Sequence, residues 1–287
     1  MSDGHVHHHQ TIPPNSGARI LRREPLAPNL QLLTVHAPAV AAKIQPGQFV
    51  IVMADATGER IPLTVADWDR ETGAVSCVFM QVGRSTYKLG EMEAGQELAA
   101  FVGPLGHALD LNVEGTVVVA GGCYGIGSIY PVARAFKERG NRVLAVVEAR
   151  SKFLFYWLDR LEGVSDRVFC STKDRSLGKP GYCPGLIREI LQSGEAVARV
   201  IAIGCTFMMY EVSQSTREAG VETIVSLNPI MIDGTGMCGA CRVSVGGQTR
   251  FACVDGPDFN GHQVDWDLLL ARRKAYLGPE TVAAEHG

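Results

Sequence analysis

The amino-acid sequence predicts an α+β multidomain chain: an antiparallel β-barrel, an α/β domain built on a parallel sheet, and a small cysteine-bearing carboxyl-terminal module. Three observations lead there. Short apolar runs alternate with turn residues over 18–110, strand-then-helix periods follow over 111–227, and Cys238, Cys241 and Cys253 cluster within 228–287. Residues 1–17 read as a disordered leader: His5, His7, His8 and His9 stand before Pro13, Pro14 and Gly17, a composition that packs no core.

In the first region the apolar runs are Leu30–Val35, Gln48–Met53, Val75–Met80 and Glu97–Val102. Their length and turn-rich spacing predict a small antiparallel barrel. From Val117 the texture changes. An apolar strand Val117–Ala120, a glycine-rich turn, a helix to Gly140 and a second strand Arg142–Glu148 form a βαβ unit, which implies a parallel sheet. The alternation continues through Arg167–Cys170, a helix near Gly185–Ser193, Val200–Ile203, a helix near Met208–Ala219 and Glu222–Ser226. The module opens near Asn228-Pro229 and closes with a helix from Trp266 to Tyr276, whose Leu268, Leu269 and Leu270 exceed one narrow apolar stripe. There are no internal repeats.

With 287 residues, a net charge of −3, 46% hydrophobic and 20% charged residues, the composition is that of a soluble globular protein of more than one domain. The charge-free stretch Gly115–Ala133 is broken by glycines and a proline, which argues for strand, loop and helix start rather than a membrane span. Basic residues are dispersed, so no nucleic-acid footprint is expected. Cysteines 77, 123, 170, 183, 205, 238, 241 and 253 are scattered apart from the last three, and no signal peptide is read, so a reducing cytoplasm is expected.

The densest chemistry lies at Asp233-Gly234-Thr235-Gly236-Met237-Cys238-Gly239-Ala240-Cys241, followed by Cys253: Asp-x4-Cys-x2-Cys-x11-Cys. Plant-type [2Fe–2S] centres use Cys-x4-Cys-x2-Cys plus a distant Cys, so the spacing reads as four ligands with Asp233 in the first position. Gly234, Gly236 and Gly239 let the backbone bend tightly and bring amides toward cluster sulfurs. The alternative is a zinc knuckle of the three cysteines with Asp233 or His262.

Two turns are placed to bind nucleotides. Ala120-Gly121-Gly122-Cys123-Tyr124-Gly125-Ile126-Gly127 joins a strand to a helix, where amides and the helix dipole attract a pyrophosphate. Ile203-Gly204-Cys205-Thr206 ends another strand at the same sheet edge. Either turn can also serve packing alone. In the barrel, Glu59-Arg60-Ile61-Pro62-Leu63-Thr64-Val65, Gln81-Val82-Gly83-Arg84-Ser85-Thr86 and Gly103-Pro104-Leu105-Gly106 combine cations, hydroxyls and glycines suited to phosphate.

In this order of parts the chain resembles the ferredoxin–NADP reductase superfamily, with a carboxyl-terminal [2Fe–2S] module as in dihydroorotate dehydrogenase electron-transfer subunits. The run Asn228–Val243, with Phe251–Pro257 and His262–Trp266, is similar more narrowly to the small-subunit family of NADH-dependent reduced ferredoxin:NADP⁺ oxidoreductases. The likeness spans roughly Ala18 to Leu277; dihydroorotate-type subunits carry Cys where Asp233 stands.

The resemblance implies FAD in the barrel, with Arg60, Pro62, Leu63 and Thr64 along the isoalloxazine and pyrophosphate and Gly83, Ser85 and Thr86 near the phosphates. Arg60 lies four residues before Thr64, whereas many relatives space these groups by three. It implies a pyridine nucleotide at Gly121, Gly122, Gly125 and Gly204, with Cys123 and Ser128 standing where relatives have glycine and proline. Thr64 and Cys205 are the candidate catalytic residues; Asp233, Cys238, Cys241 and Cys253 are the candidate metal ligands. NAD(H) is the expected coenzyme, with NADP(H) open because Lys173 and Arg175 can meet a 2′-phosphate or be solvated loop charges. The implied activity is hydride exchange with NAD(P)H at FAD and single-electron exchange with the cluster. The implied partner is a larger flavoprotein similar to the glutamate synthase small subunit, with a second FAD and [4Fe–4S] clusters, where bifurcation takes place and ferredoxin is reached indirectly. The alternatives are a dihydroorotate-type electron-transfer subunit and a zinc-bearing, non-catalytic binding subunit.

Overall fold

The computed structural model describes residues 18–274. The expected leader with its histidines, and the end of the expected last helix at Tyr276, lie outside the described residues.

The first sheet is antiparallel and contains β1 (Ala18–Ala27), β2 (Leu30–His36), β3 (Phe49–Met53), β4 (Ile61–Asp69), β5 (Ala74–Met80), β6 (Glu97–Leu98) and β7 (Ala100–Leu105). Its order is β6-β1-β2-β5-β4-β3-β7. β6 and β7 are neighbours in the chain, interrupted at Ala99. One pairs with β1 and the other with β3, so this segment nearly closes the sheet into the expected barrel. Period-2 alternation puts Leu33 and Val35, Val50 and Val52, Leu63 and Val65, and Val75, Cys77 and Phe79 inside. Two helices, α1 (Pro38–Ala41) and α2 (Arg84–Glu91), add Val40, Ala41 and Leu89 to that core.

The next elements are β8 (Thr116–Gly122), α3 (Gly125–Glu138), β9 (Arg142–Ala149), α4 (Leu158–Glu162), β10 (Arg167–Thr172), β11 (Lys179–Pro180) and α5 (Cys183–Gln192). They continue with β12 (Val197–Ile203), α6 (Thr206–Arg217), β13 (Glu222–Ser226), the hairpin β14 (Arg242–Val245) and β15 (Gln248–Phe251), α7 (Ala252–Asp255) and β16 (Asp258–Asn260). A last helix, α8, is described over 266–274. The second sheet runs β11-β10-β9-β8-β12-β13-β16 and is parallel except for β16. Its central strands read as unbroken apolar runs because helices cover both faces. Although β16 belongs by sequence to the cysteine-bearing segment, it completes this sheet, an addition that three residues of mixed polarity did not announce.

Three contacts fix where a site can form. Leu30, Leu32, Ala66 and Val78 on the outer barrel face share one core with Ile126, Ile129, Val132 and Phe136 of the β8–α3 unit. Asp67 of β4 accepts from Arg134 of α3 at 3.0 Å and also from Arg160 of α4. Finally, Phe49 and Ile51 of β3 pack with Met231, Cys241, Ala252 and Cys253, seating the cysteine loop directly on the barrel. On the far side Trp266 and Leu269 are buried with α5 and α6, while Leu268 is exposed. Among the described residues no helix is long and apolar enough to cross a membrane.

Candidate active site and cysteine loop

Where barrel, second sheet and cysteine loop meet, a cleft of about 350 Å³ opens. Pro62, Leu63 and Thr64 of β4 form one wall, Gly204 and Tyr124 the sheet edge, and Asn228–Met231 the side toward the module. Thr64 pairs with Phe49 across the β3–β4 ladder, which sets its side-chain height at the cleft. Thr86 of α2 also reaches this cleft. Its hydroxyl accepts from the amides of Val82 and Gly83 at 2.9 and 3.1 Å and donates to the Gly83 carbonyl at 2.8 Å, tightening the start of α2. A Cβ on Gly83 would meet nothing within 4 Å, so the helix start stays open to an anion. Beside it lies a second hollow of about 140 Å³, with Ser85, Arg84 and Lys88 on its wall; the Ser85 hydroxyl donates to Glu59 at 2.8 Å. Arg60 is exposed just before β4 and lines neither hollow.

The glycine-rich turn after β8 is buried and tightly packed. Gly121 and Gly122 end the strand, and a Cβ on Gly125 would fall inside the Ile203 carbonyl of the neighbouring strand. Gly125→Ala is therefore expected to destabilise the chain by at least about 2 kcal/mol, read as a lowered urea midpoint, because backbone rather than a flexible side chain must move. Tyr156 braces the turn: its hydroxyl accepts from the Gly127 amide at 2.8 Å and donates to the Cys123 carbonyl at 2.9 Å. Cys123 itself is held at φ 55°.

Gly204 lines the cleft, and Cys205, exposed, caps α6 with its sulfur accepting from the Met208 amide at 3.4 Å. A polar chain crosses this edge. Arg273 of α8 donates to Thr206, which donates to the Asn228 side-chain oxygen at 2.8 Å. The Asn228 amide in turn donates to the Tyr124 hydroxyl at 2.5 Å, and Tyr124 donates to the Gly204 carbonyl at 2.8 Å. Burial, then the nearby Cys205 charge, push Tyr124 up to about 12, so it remains a donor at neutral pH. Sequence reasoning missed Tyr124, Asn228 and Arg273 because they come from three distant segments. Among the described residues Arg273 is the sole charged one on the wall of the cleft. Lys173 and Arg175 are exposed on the loop after β10, where Asp174 folds back onto Ser176 at 2.6 Å.

In the cysteine loop, the sulfurs of Cys241 and Cys253 lie 3.2 Å apart and buried, too far for a disulfide at about 2.05 Å. Burial and the Cys241 thiol push Cys253 up to about 12, so binding of a metal there releases protons. Cys238 is exposed on the same loop, and Asp233 accepts from the amides of Thr235 at 2.8 Å and Cys238 at 3.0 Å. These bonds hold the Asp233 carboxyl below its ordinary value, leaving an ionised oxygen donor. Gly234, Gly236 and Gly239 all take positive φ, as the tight loop requires. Among the described residues no three His, Cys, Asp or Glu side chains are gathered into one cage. Even so, an ionised carboxylate and two thiols on one loop, with the Cys253 thiol of α7 packed against that of Cys241, are a donor set that fits a [2Fe–2S] centre. His262 does not complete a zinc knuckle: its ring lies 3.0 Å from the Thr216 hydroxyl on α6.

Comparison with known proteins now adds to this geometry. Residues 228–265 match the iron–sulfur cluster binding domain of dihydroorotate dehydrogenase B. The dihydroorotate dehydrogenase B (NAD(+)) electron transfer subunit homolog of Thermotoga maritima is 41% identical over 266 residues, 93% of this chain and 94% of its own. The corresponding electron transfer subunit of Desulforamulus reducens is 31% identical over 261 residues, 87% of this chain and 98% of its own. A solved chain from a study of flavin-based electron bifurcation in the NADH-dependent reduced ferredoxin-NADP oxidoreductase superposes with a TM-score of 0.89 at 38% identity, covering 96% of this chain and 99% of that one. The chain belongs to the family of dihydroorotate dehydrogenase B electron-transfer subunits and their homologues, flavin and iron–sulfur oxidoreductase subunits of the ferredoxin–NADP reductase superfamily.

Proposed function

We propose that this chain exchanges hydride with NAD(H) at a flavin held in the cleft and passes single electrons through the cysteine loop to a larger partner. The observation that carries the reading is one cleft whose walls come from β4, from the Gly204 turn and from Asn228–Met231, with the Cys241–Cys253 pair packed on β3 behind it. When bound, FAD supplies the conversion between two-electron and one-electron transfer, and the [2Fe–2S] centre supplies a one-electron store.

The chain's own residues orient and shield. Pro62 and Leu63 offer a flat apolar wall to a ring system, and Thr64 offers a hydroxyl at its edge. Gly83, Ser85 and Thr86 begin α2, whose free amides and helix dipole suit a pyrophosphate, with Arg84 and Lys88 as nearby cations and Arg60 able to reach in from the surface. Gly121, Gly122 and Gly125 keep the β8–α3 turn free of side chains so that a dinucleotide can approach the backbone. Tyr124 and Asn228 tie that turn to the module, while Thr64 on the cleft wall and Cys205, next to the lining residue Gly204, would flank the bound rings. Phe49, Leu227 and Met231 exclude water there. Asp233, Cys238, Cys241 and Cys253 are the proposed metal ligands, and 18–110, 111–227 and 228–287 the proposed domains.

The proposed partner is a larger flavoprotein similar to the glutamate synthase small subunit, with a second FAD and [4Fe–4S] clusters, in a cytoplasmic complex that reaches ferredoxin indirectly and bifurcates electrons. The solved neighbour named for bifurcation supports this reading over a dihydroorotate-type role, as does Asp233. The test is an absorption spectrum of the anaerobically purified chain before and after NADH, then NADPH, with iron and zinc measured on the same sample. Flavin and cluster bands bleached by NADH are expected; a colourless zinc protein overturns the reading. Asp233→Cys is expected to keep the cluster and lower its midpoint potential by on the order of 100 mV, since a thiolate donates more charge than a carboxylate. An unmoved potential in redox titration removes Asp233 from the ligand set.

A further inference from the structure

Two exposed cysteines, Cys123 and Cys205, stand at the end of the second sheet where the two turns lie, the Cys205 sulfur capping α6. β8 and β12 are adjacent parallel strands with Gly121 paired to Ile203. They continue side by side one residue further, where a Cβ on Gly204 would stand 3.4 Å from the Gly122 carbonyl. Cys123 and Cys205 come next, one residue past Gly122 and Gly204, in the turns that lead from the strand ends into α3 and α6. Neighbouring strands lie about 4.8 Å apart, inside the Cα separation of about 4.4–6.8 Å that a disulfide spans. Both thiols are free and exposed. Burial first, then Cys205, raise the Cys123 thiol. Cys123 also keeps its β-carbon at φ 55°, where glycine is the favoured residue.

We propose that Cys123 and Cys205 are a redox modification site, a dithiol that closes into a disulfide across the nucleotide-binding turns. The oxidant is a low-molecular-weight disulfide. The exposed Cys205 thiolate attacks one sulfur of that disulfide, forming a mixed disulfide and releasing the first small thiol. Cys123, deprotonated by solvent, then attacks the Cys205 sulfur and releases the second. The two protein thiols are oxidised by two electrons, the small disulfide is reduced to two thiols, and reducing thiols reverse both exchanges. The bond joins the β8–α3 turn to the β12–α6 turn and covers the ground between Gly122 and Gly204. Its effect on the coenzyme rests on the proposed function; its formation does not.

The test treats the anaerobic, cofactor-loaded chain with glutathione disulfide and maps tryptic peptides after alkylation. Cys123 is the single cysteine of the peptide ending at Arg134, and Cys205 the single cysteine of the peptide ending at Arg217, so a joined peptide identifies the bond. The expected result is that joined peptide, absent from Cys123→Gly. Flavin reduction by NADH should be slowed roughly tenfold or more in the oxidised chain, because the bond obstructs the ground a coenzyme would occupy between the two turns, and dithiothreitol should restore it. Separate glutathione adducts or alkylated thiols at both positions, with no joined peptide, overturn the proposal. A joined peptide with unchanged NADH reduction leaves the site standing and counts against the nucleotide reading of the two turns.

Discussion

The Cys241→Ser chain is expected to emerge from anaerobic purification yellow rather than brown, with flavin retained and its affinity for cluster iron lowered by at least roughly 100-fold. Cys241 is 1% exposed, its sulfur is 3.2 Å from that of Cys253, and both are enclosed by Phe49, Ile51 and Met231. A serine oxygen there is a harder, shorter donor than the thiolate, set in an apolar wall that gives no room for the loop to advance. The proposed flavin wall of Pro62, Leu63 and Thr64 lies on β4, apart from the cysteines, so NADH should still bleach the flavin bands. One-electron reduction of an external acceptor should fall in proportion to the lost cluster. Cys238→Ser provides the comparison. Cys238 is exposed, so the same chemical change should remove the cluster with little effect on the urea midpoint, whereas Cys241→Ser should lower both. Retention of full iron and an unaltered cluster spectrum in Cys241→Ser would remove Cys241 from the ligand set.

What the sequence disclosed about this site follows the range of the interactions involved. Val117–Ala120, Arg142–Glu148 and Val200–Ile203 were legible because strands buried on both faces must be continuously apolar, and the observed β8, β9 and β12 extend those runs by only a few residues. The cysteine-bearing segment was legible because its proposed ligands stand close together in sequence, inside the stretch 228–265 that matches an iron–sulfur cluster binding domain. The wall of the cleft opposite β4 was not. Tyr124, Asn228 and Arg273 meet only because β8, β13 and α8 converge at one sheet edge, and none of the three stands in a local pattern that marks it. Arg60 shows the reverse: a cation conspicuous in the sequence sits exposed, while Arg84 and Lys88, inside an ordinary amphipathic helix, line the hollow at its start. The antiparallel β16 was equally hidden, since three residues carry no period of their own.

That short strand carries the residue with the largest expected pH effect. Asp258 pairs with Ser226 across β13–β16, and among the described residues neither of its carboxyl oxygens has a hydrogen-bond partner of good geometry. Gly47, from the loop before β3, closes over it so tightly that an added Cβ would stand 2.5 Å from Oδ2. Burial pushes its carboxyl from the ordinary 3.8 up to about 7, against a small opposing effect from the Ser226 hydroxyl. Because the folded value is the higher one, the native state holds more protons than the unfolded chain between these limits, and stability falls as pH rises through them. The contribution is present in full below about pH 4, declines to about pH 7, and then stays lost; at about 1.4 kcal/mol per pH unit the total is about 4 kcal/mol. Asp258→Asn cannot ionise, so relative to the parent chain it should gain stability between pH 5 and pH 8, whatever fixed cost its buried amide adds. Urea midpoints of both chains at the two pH values measure this difference of differences. A parallel response would mean that the carboxyl reaches water or a cation in solution. The location gives the effect a structural consequence: the Leu227 amide donates to the Pro257 carbonyl at 2.8 Å beside this strand, and Ser226, Leu227 and Pro257 all line the cleft. Ionisation of Asp258 therefore loads the seam that holds the cysteine loop against the proposed flavin wall, and amide exchange at Val225, Ser226 and Leu227 should quicken with pH before any global unfolding is seen.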